Sequence, residues 1–283
     1  MRHVHHVRIG PVGFRIGSDW PGPIAQLKAL YRDYPAPHDG IADFSVRLFA
    51  KQPWRRIVRP SAHLGGDYML PDAAPLPLEQ GLLAAEMAMN LQVALGWRRH
   101  LLIHAAAVER DGRALLMTGV SGSGKSTLSA LLGRRGWRLL GDEFALLEPT
   151  SGELHAFPRL VSLKNASIAE VERAVPKGRF GPLLPNTPKG DIRHLVPDAG
   201  AIARMDDPAA PALILFPSFG HAAEMRDVPP SEAFVRLTQA STNYTALGVA
   251  GFGALTRLVT NTSAVAIDYP DTASALRQIE ALW

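Results

Sequence analysis

Residues 7–16, VRIGPVGFRI, set apolar side chains at alternate positions on either side of Gly10-Pro11 and Gly13, a pattern that predicts a tight pair of strands. A helix is predicted at 22–33. Short strands are predicted at 43–49 and 55–59, within a stretch from 35 to 77 that is rich in Pro, Gly and Asp and ends in the breaker string PDAAPLP. From 78 to 95, apolar residues recur at helical spacing among strong helix formers, so this segment reads as an amphipathic helix in which Met87 and Met89 fill core. Together these elements predict a small α+β N-terminal domain over residues 1–97.

After Gly96 the pattern changes. LLIHAAAV at 101–108 and ALLMTG at 114–119 are apolar strands joined by Asp111-Gly112, a pair suited to a two-residue hairpin turn. In that hairpin, paired positions sum to 223, so His104 falls opposite Gly119. A helix is predicted from Lys125 to Arg135 with Gly136 as its stop, followed by a buried strand, WRLLG, that ends at Asp142-Glu143. This is a β-α-β unit with a short crossover, and strands joined that way present their C-terminal ends on one edge of a sheet. Further on, LILFP at 213–217 reads as a buried strand and 272–282 as a closing helix. The expected fold class is α/β, with a mixed-sheet domain over 98–283 behind the smaller N-terminal one.

Composition narrows the chemistry. With 283 residues, 47% hydrophobic and 20% charged, the chain can bury a substantial core. It has no cysteine, which excludes disulfides, thiolate metal sites and cysteine nucleophiles. No uncharged apolar run suits a membrane span, and the N-terminus lacks a secretory pattern, so no membrane partner and a cytoplasmic location are expected. The net charge of +4 is scattered in singles and pairs, which argues against a nucleic-acid partner. His3, His5 and His6, at the chain start, read as solvated. Only six of the 30 basic residues are Lys, which directs closer reading to Lys125, Lys164 and Lys189.

The segment Gly119-Val120-Ser121-Gly122-Ser123-Gly124-Lys125-Ser126 fits G-x-x-x-x-G-K-[ST], follows a predicted strand and opens a predicted helix with Thr127. Gly119, Gly122 and Gly124 let the backbone curl so that N–H groups, those of Ser121 and Ser123 among them, point at phosphate oxygens; the helix N-terminus adds positive potential. Lys125 is expected to bridge the terminal phosphates of ATP or GTP, and the Ser126 hydroxyl to reach Mg²⁺. The crossover brings Asp142 and Glu143 beside this loop, where one acid can bind the metal and the other can orient or deprotonate an attacking hydroxyl. His104, opposite Gly119, is a third candidate.

Three features, Ile103-His104, the GVSGSGKST loop and RRGWRLLGDE, resemble the HPr kinase/phosphorylase family, and more closely the HPr-kinase-related kinases of the A group. FPRLVSLKN at 157–165, NTPKGDIRHLVP at 186–197 and NYTALGVAGFGAL at 243–255 are similar to that group as well. The resemblance implies an HPr-kinase-like P-loop domain, a homo-oligomer as the class of assembly, and metal and base roles for Asp142 and Glu143 with His104 close by. Spacing does not divide those roles, although the longer Glu143 suits a base and Asp142 a metal ligand. The family's segment with a metal-binding Glu corresponds to Phe157-Pro158-Arg159, where no acid stands, which implies a different metal shell. Arg159, Lys164 and Lys189 are candidates for neutralising the transferring phosphoryl group or gripping an acidic substrate.

The function expected is a Mg²⁺-dependent kinase that moves the γ-phosphoryl group of a nucleotide to a hydroxyl, with a Ser or Thr of a small protein or peptide as acceptor. A small-molecule kinase, an NTPase switch without an acceptor, and a carboxykinase-like enzyme using His104 as an Mn²⁺ ligand are the alternatives. Transport ATPases place their acids far downstream, whereas Asp142 follows Lys125 by 17 residues.

Overall fold

In the computed structural model, which describes residues 2–69 and 74–283, the alternation at the chain start becomes a hairpin of β1 (His3–Ile9) and β2 (Val12–Ser18), paired antiparallel with Ile9 opposite Val12. Gly10 turns the chain at φ 51°, a left-handed conformation that costs glycine little. Residues Pro71, Asp72 and Ala73 of the breaker string lie outside the described residues. The chain divides into two compact units, Met1–Trp97 with Arg179–Val196, and Arg98–Gly178 with Pro197–Trp283. Each is a mixture of helices and sheets, the α/β character expected.

In the first unit β2 runs parallel to β3 (Phe44–Phe49), and β4 (Ser61–Gly66) and β5 (Leu76–Pro77) complete a five-stranded sheet in chain order. Phe44, Val46 and Leu48 alternate inward and meet α2 (Gly81–Gly96), while α1 (Pro21–Leu30) packs on β1, β2 and α2. Met89 is buried as expected, while Met87 is exposed. Two readings change. Residues 55–59 do not form a strand: Pro53–Arg56 is a turn of 3-10 helix, because Pro53 supplies no ladder N–H and fixes a turning φ. His3, His5 and His6, read as solvated at the chain start, all lie within β1: His6 is exposed, but His3 and His5 are partly buried, and burial first, then the charge of Lys28, pushes the His5 imidazole down to about 4.

The second unit is built on a six-stranded mixed sheet in the order β16-β17-β15-β8-β7-β9. Its strands are β7 (Ala105–Arg110), β8 (Arg113–Thr118), β9 (Arg138–Gly141), β15 (Ala210–Phe219), β16 (Glu224–Asp227) and β17 (Ser263–Tyr269). A smaller sheet joins β6 (Leu101–Ile103), β10 (Ala145–Leu147) and β11 (Leu154–His155). Leu101, Ile103, Leu116, Ile214, Leu237 and Leu255 belong to one buried cluster that also takes in α6 (Pro230–Ala240) and α8 (Val249–Asn261). The α3 helix (Lys125–Gly133) packs against β7, β9 and α9 (Thr272–Leu282). The remaining elements are β12 (Val161–Lys164), α4 (Ala166–Ala174), α5 (Ala199–Ala203) and α7 (Tyr244–Leu247) in this unit, and β13 (Leu184–Thr187) and β14 (Gly190–Leu195), an antiparallel pair, in the first. Among the described residues no helix is long and apolar enough to cross a membrane.

The β7–β8 hairpin has the expected register, with Ala105 opposite Thr118 and Arg110 opposite Arg113, and both turn residues have positive φ, Asp111 at 57° and Gly112 at 77°. Two features depart from the sequence reading. The apolar run 101–108 is not one strand but breaks at His104, whose N–H donates to the Ala240 carbonyl at 2.8 Å, so β6 leaves for the small sheet and β7 for the large one. The strands β8 and β9 flanking α3 are parallel but not neighbours, because β7 lies between them and pairs antiparallel with both. Their C-terminal ends still share an edge. A buried ion pair ties β7 to β9: Arg138 Nε donates to Glu109 Oε2 at 2.6 Å, and the same guanidinium donates to the carbonyls of Arg204 and Asp207.

Candidate functional site

The loop between β8 and α3 is shaped by its glycines. Gly122 and Gly124 sit at φ 87° and 90°, a region closed to most side chains. A Cβ on Gly124 would also lie 2.0 Å from the Tyr269 hydroxyl. That hydroxyl, at the end of β17, donates to the Ser123 carbonyl at 2.6 Å and pins the loop from below. Ser121 and Gly122 are exposed, Ser123 is buried, and Ser126 and Thr127 occupy the first turn of α3. Lys125 is only 8% exposed. Its ammonium donates to the carbonyls of Gly119 at 2.7 Å and Val120 at 3.0 Å, so it lies across the loop. Burial pushes its pKa down, while the carboxylates of Asp142 and Glu143 pull it back up.

Both carboxylates therefore lie within the electrostatic reach of Lys125, on the sheet edge where β8 and β9 end. Asp142 is 4% exposed. Its Oδ1 accepts from the Ser129 hydroxyl at 3.4 Å and its Oδ2 from the Ser162 N–H at 3.1 Å; a hydrogen bond from the Ser126 side chain also reaches this carboxylate. Burial, and then the Glu143 charge, push the Asp142 carboxyl up to about 6 against those hydrogen bonds. Glu143 behaves oppositely. Burial favours its neutral form, but the hydrogen bond and charge of His104, with Lys164 and Arg159 nearby, hold it down at about 2. His104 Nε2 stands 3.4 Å from Glu143 Oε2.

The two acids are thus distinct in chemistry. Asp142 and Ser126 form an oxygen-only pair that suits a hard cation such as Mg²⁺, and the raised carboxyl of Asp142 marks a place short of positive charge. Glu143 is an ionised carboxylate held against an imidazole. Arg159, buried beside the Phe157 ring, and Lys164, at the end of β12, act on Glu143 through their charge. A cleft of about 620 Å³ opens next to the loop, lined among others by His104, Gly119, Val120, Ser218, Arg236 and Asp268.

Lys189 belongs to the first unit, on the exposed turn between β13 and β14, where its N–H donates to the Thr187 hydroxyl at 3.2 Å. Tyr269, Ser129 and Ser162 were not singled out by the sequence. Ser129 carries the one usable signal, since it lies one helical turn beyond Ser126 and so shares its face.

The family model for the SynChlorMet cassette protein ScmC matches residues 82–216, somewhat under half of the chain. No curated protein matches. Among solved structures, the HPr(Ser) kinase/phosphatase from Coxiella burnetii is similar at 15% identity and a TM-score of 0.28, over 64% of this chain and 96% of that one.

Proposed function

We propose that this protein is a kinase that uses ATP or GTP with Mg²⁺ and transfers the γ-phosphoryl group to a hydroxyl, that of a Ser or Thr in a small protein or peptide. The observation that carries this reading is the juxtaposition, at the mouth of the Gly119–Thr127 loop, of the Ser126–Asp142 contact and the His104–Glu143 pair, both within the field of Lys125. Phosphoryl transfer needs little covalent chemistry from a protein; it needs positioned positive charge and a group that takes the acceptor's proton.

In the proposed reaction the acceptor oxygen attacks the γ-phosphorus, its proton passes to the Glu143–His104 pair, and the bond to the bridging oxygen breaks to release the nucleoside diphosphate. Ser126 and Asp142 would hold Mg²⁺, which would neutralise charge on the phosphates. The loop backbone and Lys125 hold the phosphates, and Arg159 and Lys164 add positive potential beside the transferred group.

The cleft of about 620 Å³ beside His104 falls in the size range of small-molecule sites, and it favours a second reading, a small-molecule kinase. Incubation of the purified protein with γ-labelled ATP, Mg²⁺ and extract of the source cells separates the readings. Label in a protein or peptide fraction supports the first, label in a low-mass organic compound the second, and label only in inorganic phosphate marks an NTPase. Absence of nucleoside diphosphate in every reaction removes all three.

A further inference from the structure

A second cluster of donor side chains lies on the three-stranded sheet of β6, β10 and β11, at the end of β6 away from His104. Strand pairing explains how it arises. Leu147 of β10 is opposite Leu101 of β6, so the next pair outward sets Glu148 against His100. On the other side Leu146 is opposite His155, and the Glu148 N–H donates to the Glu153 carbonyl at 2.9 Å. Side chains two apart on a strand share a face, so Glu148, His100 and His155 project from the same face. One ligand atom from each lies within 4.8 Å of the other two. The two imidazole centroids are 4.7 Å apart.

We propose that His100, Glu148 and His155 bind one Zn²⁺ ion, at a site separate from the glycine loop. Three observations support it. First, a tetrahedral zinc with bonds of about 2.1 Å to nitrogen and oxygen sets its ligand atoms roughly 3.4 Å apart, and His100 Nε2 stands 3.5 Å from Glu148 Oε2. Second, two imidazoles with one carboxylate are a borderline donor set that suits Zn²⁺ and not Mg²⁺ or Ca²⁺, which take oxygen. Third, the strand that carries His100 is fixed in advance. The buried Asn243 side chain donates to the His100 carbonyl and accepts from the Leu102 N–H, both at 2.9 Å, a preorganisation that metal sites require. Glu148 and His155 are only partly buried, so water can take the fourth position.

The test is titration of the chelator-stripped full chain with Zn²⁺, and with Co²⁺ as a spectroscopic substitute. The unmodified protein is expected to bind one equivalent at this site and to show the visible bands of four-coordinate Co²⁺. His155→Ala and Glu148→Gln should each weaken that equivalent by roughly 100-fold or more, since even outer-sphere changes at zinc sites cost 10- to 100-fold. Their unfolding midpoints in chelator should stay near the unmodified value. If His155→Ala does not fold, Glu148→Gln and the Co²⁺ spectrum of the unmodified chain decide. Absence of Zn²⁺ binding by the unmodified chain overturns the proposal. So does binding that the variants fully retain, which would place the metal elsewhere on the chain.

Discussion

His104 Nε2 and Glu143 Oε2 stand 3.4 Å apart although one residue sits at the break between β6 and β7 and the other just past β9. The pair holds Glu143 ionised down to about 2 despite burial that favours its neutral form. If this carboxylate takes part in accepting the acceptor's proton, Glu143→Gln should lower phosphoryl transfer by roughly 100-fold or more. His104→Gln should cost less at neutral pH and should move the acid limb of the pH–rate profile upward, because burial then raises the Glu143 pKa with only the charges of Lys164 and Arg159 against it. A pH series on both variants checks this, and an unmoved acid limb in His104→Gln would separate the pair. The stability linkage has the opposite sense to a raised acid: the contribution is present above the ordinary Glu value of about 4.5 and is lost as pH falls towards 2.

Asp142 trades stability for charge. An unfolded Asp loses its proton near 4, while the folded chain keeps it until about 6. Between those values the folded state binds the extra proton, so stability falls as pH rises from 4 to 6 and stays lowered above that. Asp142→Asn removes this penalty. It should raise the thermal midpoint at pH 7.5, measured without divalent cations, by roughly 5 °C, and lower Mg²⁺-dependent transfer by orders of magnitude. A variant that loses stability, or keeps normal turnover, contradicts the metal role.

Lys125→Ala should abolish transfer and weaken nucleotide binding. The buried ammonium also bridges the Gly119 and Val120 carbonyls, so the substitution should cost about 1–3 kcal/mol in urea unfolding. Transfer at the unmodified rate would remove the kinase reading.

Tyr269→Phe deletes the donor that holds the Ser123 carbonyl and should loosen the loop while keeping the ring that packs 5.6 Å from Phe219. The expected result is a KM for nucleotide several-fold higher, kcat changed less, and a stability loss of about 1 kcal/mol. A fall in kcat alone would mean that the phenol acts on chemistry and not on loop position.

The parts of this architecture legible in the sequence are those set by local rules. The Asp111-Gly112 turn fixes the β7–β8 register, and with it the position of His104 opposite the loop; Gly136, at φ 85°, ends the helical stretch just after α3, as a glycine at that place predicts. What escaped was set by distant pairing. Nothing in LLIHAAAV announces that the chain changes sheets at His104, since the hydrogen bond responsible goes from its N–H to the distant Ala240 carbonyl. The insertion of β7 between β8 and β9 cannot be seen in a crossover length alone. Burial of Lys125 depends on the loop closing over its own side chain, and the cluster of His100, Glu148 and His155 depends on two strand registers at once.

The Glu109–Arg138 pair tests how firmly β9, and so Asp142 and Glu143, are held. Both side chains are almost fully buried, and Arg138 already spends one nitrogen on the carbonyls of Arg204 and Asp207. Glu109→Ala leaves a buried guanidinium without its counter-charge and should destabilise the protein by about 3–5 kcal/mol. Replacing both partners, as Glu109→Leu with Arg138→Met, removes the uncompensated charge together with its partner and should recover a large part of that loss. If the pair also sets the register of β9, transfer activity will stay low in the double variant after stability returns. Recovery of both together would mean that the hydrophobic packing of β9 suffices to place the two acids.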